Sequence, residues 1–207
     1  AWQLCKLGHR VTLIEREPAI CAGASARNGA QLSYSYCDAL ASPSLLGKLP
    51  AILLRRDPAF RINMQIDPAF YAWSLRFLWN CRRSKFEANT RSLLKLAAMT
   101  EDLMPEVIRE FDLRFDHAAP GKLVLCRSRR DLERAAAGIA FKARFGVVQH
   151  LLSRGEAETA EPALRHYRDD FAGAVFSPHD AVGRPPEFCM GLAHGLRQRY
   201  GLTVLTG

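Results

Sequence analysis

Few residues in this chain combine the type and the spacing that chemistry requires. Glu15 ends the β-branched and apolar run Val11-Thr12-Leu13-Ile14. A carboxylate at the tip of a parallel strand accepts hydrogen bonds from ribose hydroxyls in dinucleotide-binding βαβ units. A second group is the run Ala24-Ser25-Ala26-Arg27-Asn28-Gly29-Ala30-Gln31-Leu32-Ser33. Its small residues let backbone N–H groups approach phosphate or carbonyl oxygens, while Ser25 and Asn28 add a hydroxyl and an amide. Without the strand before it, the same run reads as an irregular polar loop. Tyr34 and Tyr36 follow closely, and packing is their default role.

Other reactive types lack a partner at a useful spacing. His179-Asp180 has no serine or cysteine in a recognisable elbow, and His9, His117, His150, His166 and His194 show no ligand-type repeat, so no metal site is expected. Asp180 and Gly183 read as a structural turn, with substrate contact as the alternative. The six cysteines, Cys5, Cys21, Cys37, Cys81, Cys126 and Cys189, form no C-x-x-C pair and read as reduced thiols.

The elements that must position Glu15 are legible around it. Ala1 to Leu7 has the apolar spacing of a final helical turn, and Gly8 suits a left-handed helix stop. Val11 to Ile14 then reads as a parallel strand buried on both faces. In a dinucleotide-binding unit a Gly-rich turn precedes the carboxylate by about 20 residues. No such motif occurs in the chain, so the expectation is a fragment truncated at its N-terminus, with the turn before Ala1. Leu202 to Leu205 reads as another short strand after a helix that stops at Gly201.

Four stretches, in order, resemble the FAD-dependent D-amino-acid oxidase-like flavoproteins, and among them the small-subunit type of bacterial D-amino-acid dehydrogenase. They are Gly8 to Arg16, Ala24 to Ser33, Glu161-Pro162-Ala163-Leu164 and Pro178-His179-Asp180-Ala181-Val182-Gly183. The resemblance spans nearly the whole chain, but only about half of such a protein. It implies FAD as cofactor, with Glu15 at the adenosine ribose and Arg16 beside it. It places Ala24, Ser25 and Asn28 near the pyrophosphate and inner flavin edge, and Gly29, Ala30, Gln31 and Leu32 beside the isoalloxazine ring. One departure stands out: such dehydrogenases usually read Asn-Ala-Gly where this chain has Asn28-Gly29-Ala30. A shifted glycine shifts the position that takes positive φ, leaving the flavin register open by one residue.

The resulting expectation is an α/β chain, part of a Rossmann-like FAD-binding domain with an inserted α+β substrate domain. Residues 1–45 would be a partial FAD-binding domain, 46–183 the substrate or cap domain, and 184–207 the return. Pro43, Pro50, Pro58 and Pro68 forbid one continuous helix in the crossing segment. Pro68 to Arg82 and Phe86 to Phe111 have helical spacing, with Phe70, Trp73, Phe77 and Trp79 read as core. Strands are expected at Lys122 to Arg127, Val147 to Leu152 and Phe171 to Phe176. Capped helices are expected after Ser128 and Ser153.

The 207 residues are 48% hydrophobic and 24% charged, an ordinary globular composition. No run is long and apolar enough to span a bilayer, and no signal-peptide order opens the chain. The net charge of +8 is spread over short arginine groups, which favours a solvated surface over nucleic-acid binding. The function implied by the resemblance is oxidation of the Cα–N bond of a D-amino acid, giving a 2-oxo acid and ammonia. A flavin oxidase of glycine, sarcosine or another secondary amine is the alternative, and a basic binding module is the reading from a different class. The substrate-clamping arginine and tyrosine of the family would lie beyond Gly207, so no catalytic residue is assigned, and the fragment alone is expected to bind FAD poorly and to be inactive. The expected partners are a small amino acid and an electron acceptor, membrane quinone or oxygen, with a cytoplasmic location that includes peripheral contact at the inner membrane.

Overall fold

A computed structural model of the chain describes residues 1–56 and 62–207. In chain order its elements are α1 (Trp2–Lys6), β1 (Thr12–Glu15), a 3-10 turn (Ala24–Arg27), β2 (Gln31–Leu32), α2 (Pro43–Leu53), α3 (Pro68–Asn80) and α4 (Arg83–Phe111). There follow β3 (Lys122–Cys126), α5 (Arg129–Ala143), β4 (His150–Ser153), α6 (Arg154–Ala160), β5 (Gly173–Ser177), β6 (Ala181–Val182), α7 (Pro185–Tyr200) and β7 (Thr203–Thr206). Two compact units emerge, Cys37–Leu96 and the remainder, the latter joining Ala1–Tyr36 to Ala97–Gly207.

In the larger unit β1 pairs in parallel with β7, Glu15 opposite Thr206. The chain ends thus meet in the manner of a wound α/β sheet. The core beneath this pair gathers Trp2, Cys5, Val107, Leu113, Phe115, Leu196 and Leu202. Glu110 ties α1 to α7: the Trp2 indole donates to it at 3.0 Å and the Tyr200 hydroxyl at 2.6 Å. A left-handed Gly201 ends α7, as expected of a residue with no Cβ to clash. The expectation of a strand buried on both faces is corrected here. β7 is the only strand paired with β1 among the described residues, and Ile14 is 80% exposed.

A separate antiparallel sheet has the order β3-β5-β4. Capping boxes at Ser128 with Asp131 and at Ser153 with Glu156 start α5 and α6 as their sequences predict. β4 begins three residues later than expected, because Val147 donates back to the Lys142 carbonyl and Gly146, at φ 82, reverses the chain first.

In the smaller unit α2 ends at Leu53 and α3 begins at Pro68, so no one continuous helix fills the segment, and Pro43 opens α2 while Pro50 lies inside it. Proline costs a helix one donor and crowds the preceding turn, and here the eleven-residue helix tolerates it three residues before its end. Pro58 lies outside the described residues. The aromatics of α3 divide: half-buried Phe77 packs against the core cluster of Ala41, Leu45, Ile52 and Cys81, whereas Trp73 is 61% exposed and Trp79 55% exposed. Trp73 stacks on Phe77, and both line an open apolar groove of about 590 Å³ with Leu93 and Leu96. In α4 the apolar stripe divides, Leu93 and Leu96 exposed but Val107 buried and Ile108 packed on the core.

Candidate functional site

Glu15 sits at the carboxyl end of β1, where open parallel sheets bind their ligands. It is half-buried, and its Oε1 accepts from the Glu17 backbone N–H at 3.1 Å. Arg16 is exposed and pairs with Glu17 at 3.0 Å. No hydrogen bond among the described residues links Glu15 or Arg16 to the Ala24–Leu32 segment.

Ala24 and Ser25 lie in the 3-10 turn, which packs against α7. The Asn28 side-chain oxygen accepts from the Ala30 N–H at 2.8 Å, an Asx turn of the kind its residue type favours. That bond holds Ala30 at φ 59, a left-handed conformation that is strained for alanine. Gly29 is not left-handed and faces open space. The positive φ therefore falls at Ala30 and not at Gly29.

Gln31 and Leu32 form β2, which pairs antiparallel with β6, Gln31 opposite Val182 and Leu32 opposite Ala181. The Gly183 N–H extends the ladder to the Ala30 carbonyl at 2.9 Å. A Cβ on Gly183 would collide with the Phe115 ring, so this approach requires glycine. On the other side of β6, Ala118 and Val182 exchange backbone bonds, and the Asp180 carbonyl accepts from Gly121. The turn read as structural thus proves to be the rail along which the 30–35 segment lies.

Beside this ladder is a group of buried polar side chains that the sequence reading did not assemble. Asp180, 1% exposed, accepts from the Ser35 N–H at 2.7 Å through Oδ1, and its Oδ2 has no hydrogen-bond partner. Lys142, 4% exposed, donates to the Ser35 carbonyl at 3.4 Å. Lys122 donates to the Ser33 hydroxyl at 3.1 Å, and its ammonium stands 4.5 Å from the centre of the Tyr36 ring, within cation–π range. Gln149 donates to Ser177 at 2.8 Å, and the Ser177 carbonyl accepts from the Asp180 N–H. Tyr34 is buried, and that burial, with Glu101 and Asp180 nearby, pushes its hydroxyl above its ordinary range. One signal for Lys142 was available: it continues the stripe Leu132, Ala135, Ile139 that α5 turns inward.

Burial, reinforced by the neighbouring Cys21 thiol, pushes Cys189 up to about 12, and burial raises Cys81 and Cys126. The six cysteines form no disulfide among the described residues. His179 pairs with Glu101 at 3.0 Å on the surface. Among the described residues no group of three or more His, Cys, Asp or Glu side chains is placed to hold a metal, and no helix is long and apolar enough to cross a membrane.

Comparison with known proteins bears on this arrangement. Residues 1–207 match the model of the DAO family, described as FAD dependent oxidoreductase. D-amino acid dehydrogenase 2 of Ralstonia nicotianae is 39% identical over 198 residues, covering 95% of this chain and 46% of that protein. A D-amino acid dehydrogenase of Rhizobium johnstonii is 30% identical over 209 residues, 99% of this chain and 50% of that protein. The crystal structure of glycine oxidase from Geobacillus kaustophilus aligns with a TM-score of 0.64 at 19% identity, covering 99% of this chain and 42% of that one. This last likeness is one of fold. The chain spans about half the length of the curated relatives it matches.

Proposed function

Because the chain belongs to the DAO family of FAD dependent oxidoreductases, we propose that it is part of a flavoenzyme oxidising the Cα–N bond of a D-amino acid. The observation that carries the cofactor assignment is the Glu15 carboxylate at the carboxyl end of a parallel strand pair. The substrate class follows the names of the two dehydrogenase relatives.

The residues fit the dinucleotide. Glu15 would accept the ribose hydroxyls, with Arg16 beside the adenosine. Ala24, Ser25 and Asn28 offer small side chains, a hydroxyl and an amide for the pyrophosphate and inner flavin edge. Gly29, with open space at its α-carbon, admits close approach of a ring, and Ala30, Gln31 and Leu32 continue along its side. FAD, when bound, supplies the two-electron acceptor. The protein's part is to orient the substrate Cα–H and to exclude water while that bond breaks. The Cα–H hydrogen departs with its electron pair, the nitrogen loses a proton, and hydrolysis of the imino acid gives a 2-oxo acid and ammonia. Residues 1–45 and 184–207 would belong to the FAD-binding domain and 46–183 to the substrate domain. The β1–β7 pairing supports the first two being parts of one sheet. The electron acceptor would be a membrane quinone or oxygen, reached from the cytoplasmic side.

The test is the visible spectrum of the full-length protein under anaerobic conditions, with D- and L-amino acids added in turn. Flavin bands that bleach with a D-amino acid and not its mirror image are expected. Bleaching by glycine or sarcosine alone would move the substrate to the secondary-amine alternative, and a protein that no added FAD colours would end the flavoenzyme reading.

A further inference from the structure

The buried charges around Ser35 have no role in the function proposed so far. Asp180 and Lys142 come from a turn and from the last turn of α5, and both act on the same peptide unit's residue: one takes its N–H, the other gives to its C=O. Burying a carboxylate and an ammonium is costly, and a neutral amide at position 180 would satisfy the same N–H at less expense. The cost is the greater because Asp180 Oδ2 stays unpartnered. What the charges add is a fixed position for the backbone between them. That backbone is three residues past β2 and continuous with the Gly183–Ala30, Val182–Gln31 and Ala181–Leu32 contacts.

We infer that Asp180 and Lys142 form a buried charge clamp on Ser35 that sets the position of the Ala30–Leu32 strand, making Asp180 a positioning residue for the flavin-facing edge. This rests on the reading that Gly29 to Leu32 lie beside the ring. The clamp touches neither substrate nor cofactor itself. It acts through the backbone of Ser35 and the strand before it, and Lys122, bonded to Ser33, holds the segment between them.

The experiment compares full-length wild type with Asp180→Ala, Asp180→Asn and Lys142→Met. Three quantities are read on each: the FAD dissociation constant, the visible spectrum of bound flavin, and the urea midpoint. Loss of a hydrogen bond to a charged group predicts FAD binding weakened about tenfold in Asp180→Ala. Asp180→Asn, which keeps an acceptor for Ser35, should fall between it and wild type, and Lys142→Met should weaken FAD about threefold. The flavin bands should shift in wavelength in each variant. If Asp180→Ala does not fold, the other two decide. Variants that lower the urea midpoint but leave both the dissociation constant and the flavin bands at wild-type values would overturn the clamp while leaving the flavoenzyme reading intact. A wild type without flavin would remove both.

Discussion

From Ala30 to Ser35 the backbone is tied to residues far away in sequence: Gly183, Val182, Ala181 and Asp180 meet it in turn, and Lys142 closes the far side. From Arg16 to Gly29 the backbone hydrogen bonds among the described residues are local, Glu17 to Glu15, Ala22 to Ala19, Ala26 to Gly23 and Asn28 to Ser25, with the Cys21 thiol meeting Cys189 of α7. The two stretches are the strand edge and the phosphate-side loop of one proposed cofactor site. Their difference teaches which part is shaped before a ligand arrives. Long-range ties hold the strand edge in place, whereas local turns leave the loop able to adjust around a pyrophosphate.

Substitutions sharpen this contrast. The largest effect should come from Asp180→Ala, which strands a buried N–H and is expected to cost about 2–3 kcal/mol in urea unfolding. Gly183→Ala drives a methyl group against Phe115 and should cost about 1–3 kcal/mol, with the strand edge loosened along with it. Ala30→Gly should instead stabilise by about 0.5–1 kcal/mol, since glycine carries no penalty at φ 59. Gly29→Ala should stay within about 0.5 kcal/mol of wild type, because its Cβ meets nothing and its φ is ordinary. Equal costs for Gly183→Ala and Gly29→Ala would erase the distinction between the two stretches.

Acid offers a control lying in neither stretch. Burial alone would raise the Glu110 carboxyl, but hydrogen bonds from Tyr200 and Trp2, with Arg199 and Lys6 nearby, outweigh it and hold the group below its ordinary 4.5. A depressed carboxyl stabilises the fold above the unfolded value and loses that contribution as pH falls through the folded one. Wild type should therefore exceed Glu110→Gln in stability at pH 7 and converge on it in acid. Urea melts at several pH values measure this, and a constant gap would refute the assignment.

Much of this architecture could be read along the chain because it depends on neighbours in sequence. The strand ending in Glu15, the capping boxes at Ser128 and Ser153, and the glycine stop at Gly201 are set within a few residues. Errors fell where tertiary context decides. Trp73 and Trp79 have core-like spacing, yet the described residues do not bury them. The left-handed residue after Asn28 is Ala30, not Gly29, because the Asx turn and the bond from Gly183 fix the conformation whatever side chain stands there. Asp180 and Lys142 were legible only as a turn residue and a helix lysine, since their shared target, Ser35, is more than a hundred residues from each.

The most direct test of the central claim is backbone hydrogen exchange on the full-length protein with and without FAD. The account predicts that amides of residues 31–35 exchange slowly in both states, while those of residues 16–29 exchange fast alone and slow markedly when FAD is bound. Strong protection appearing only in residues 31–35, with residues 16–29 unchanged by FAD, would contradict it.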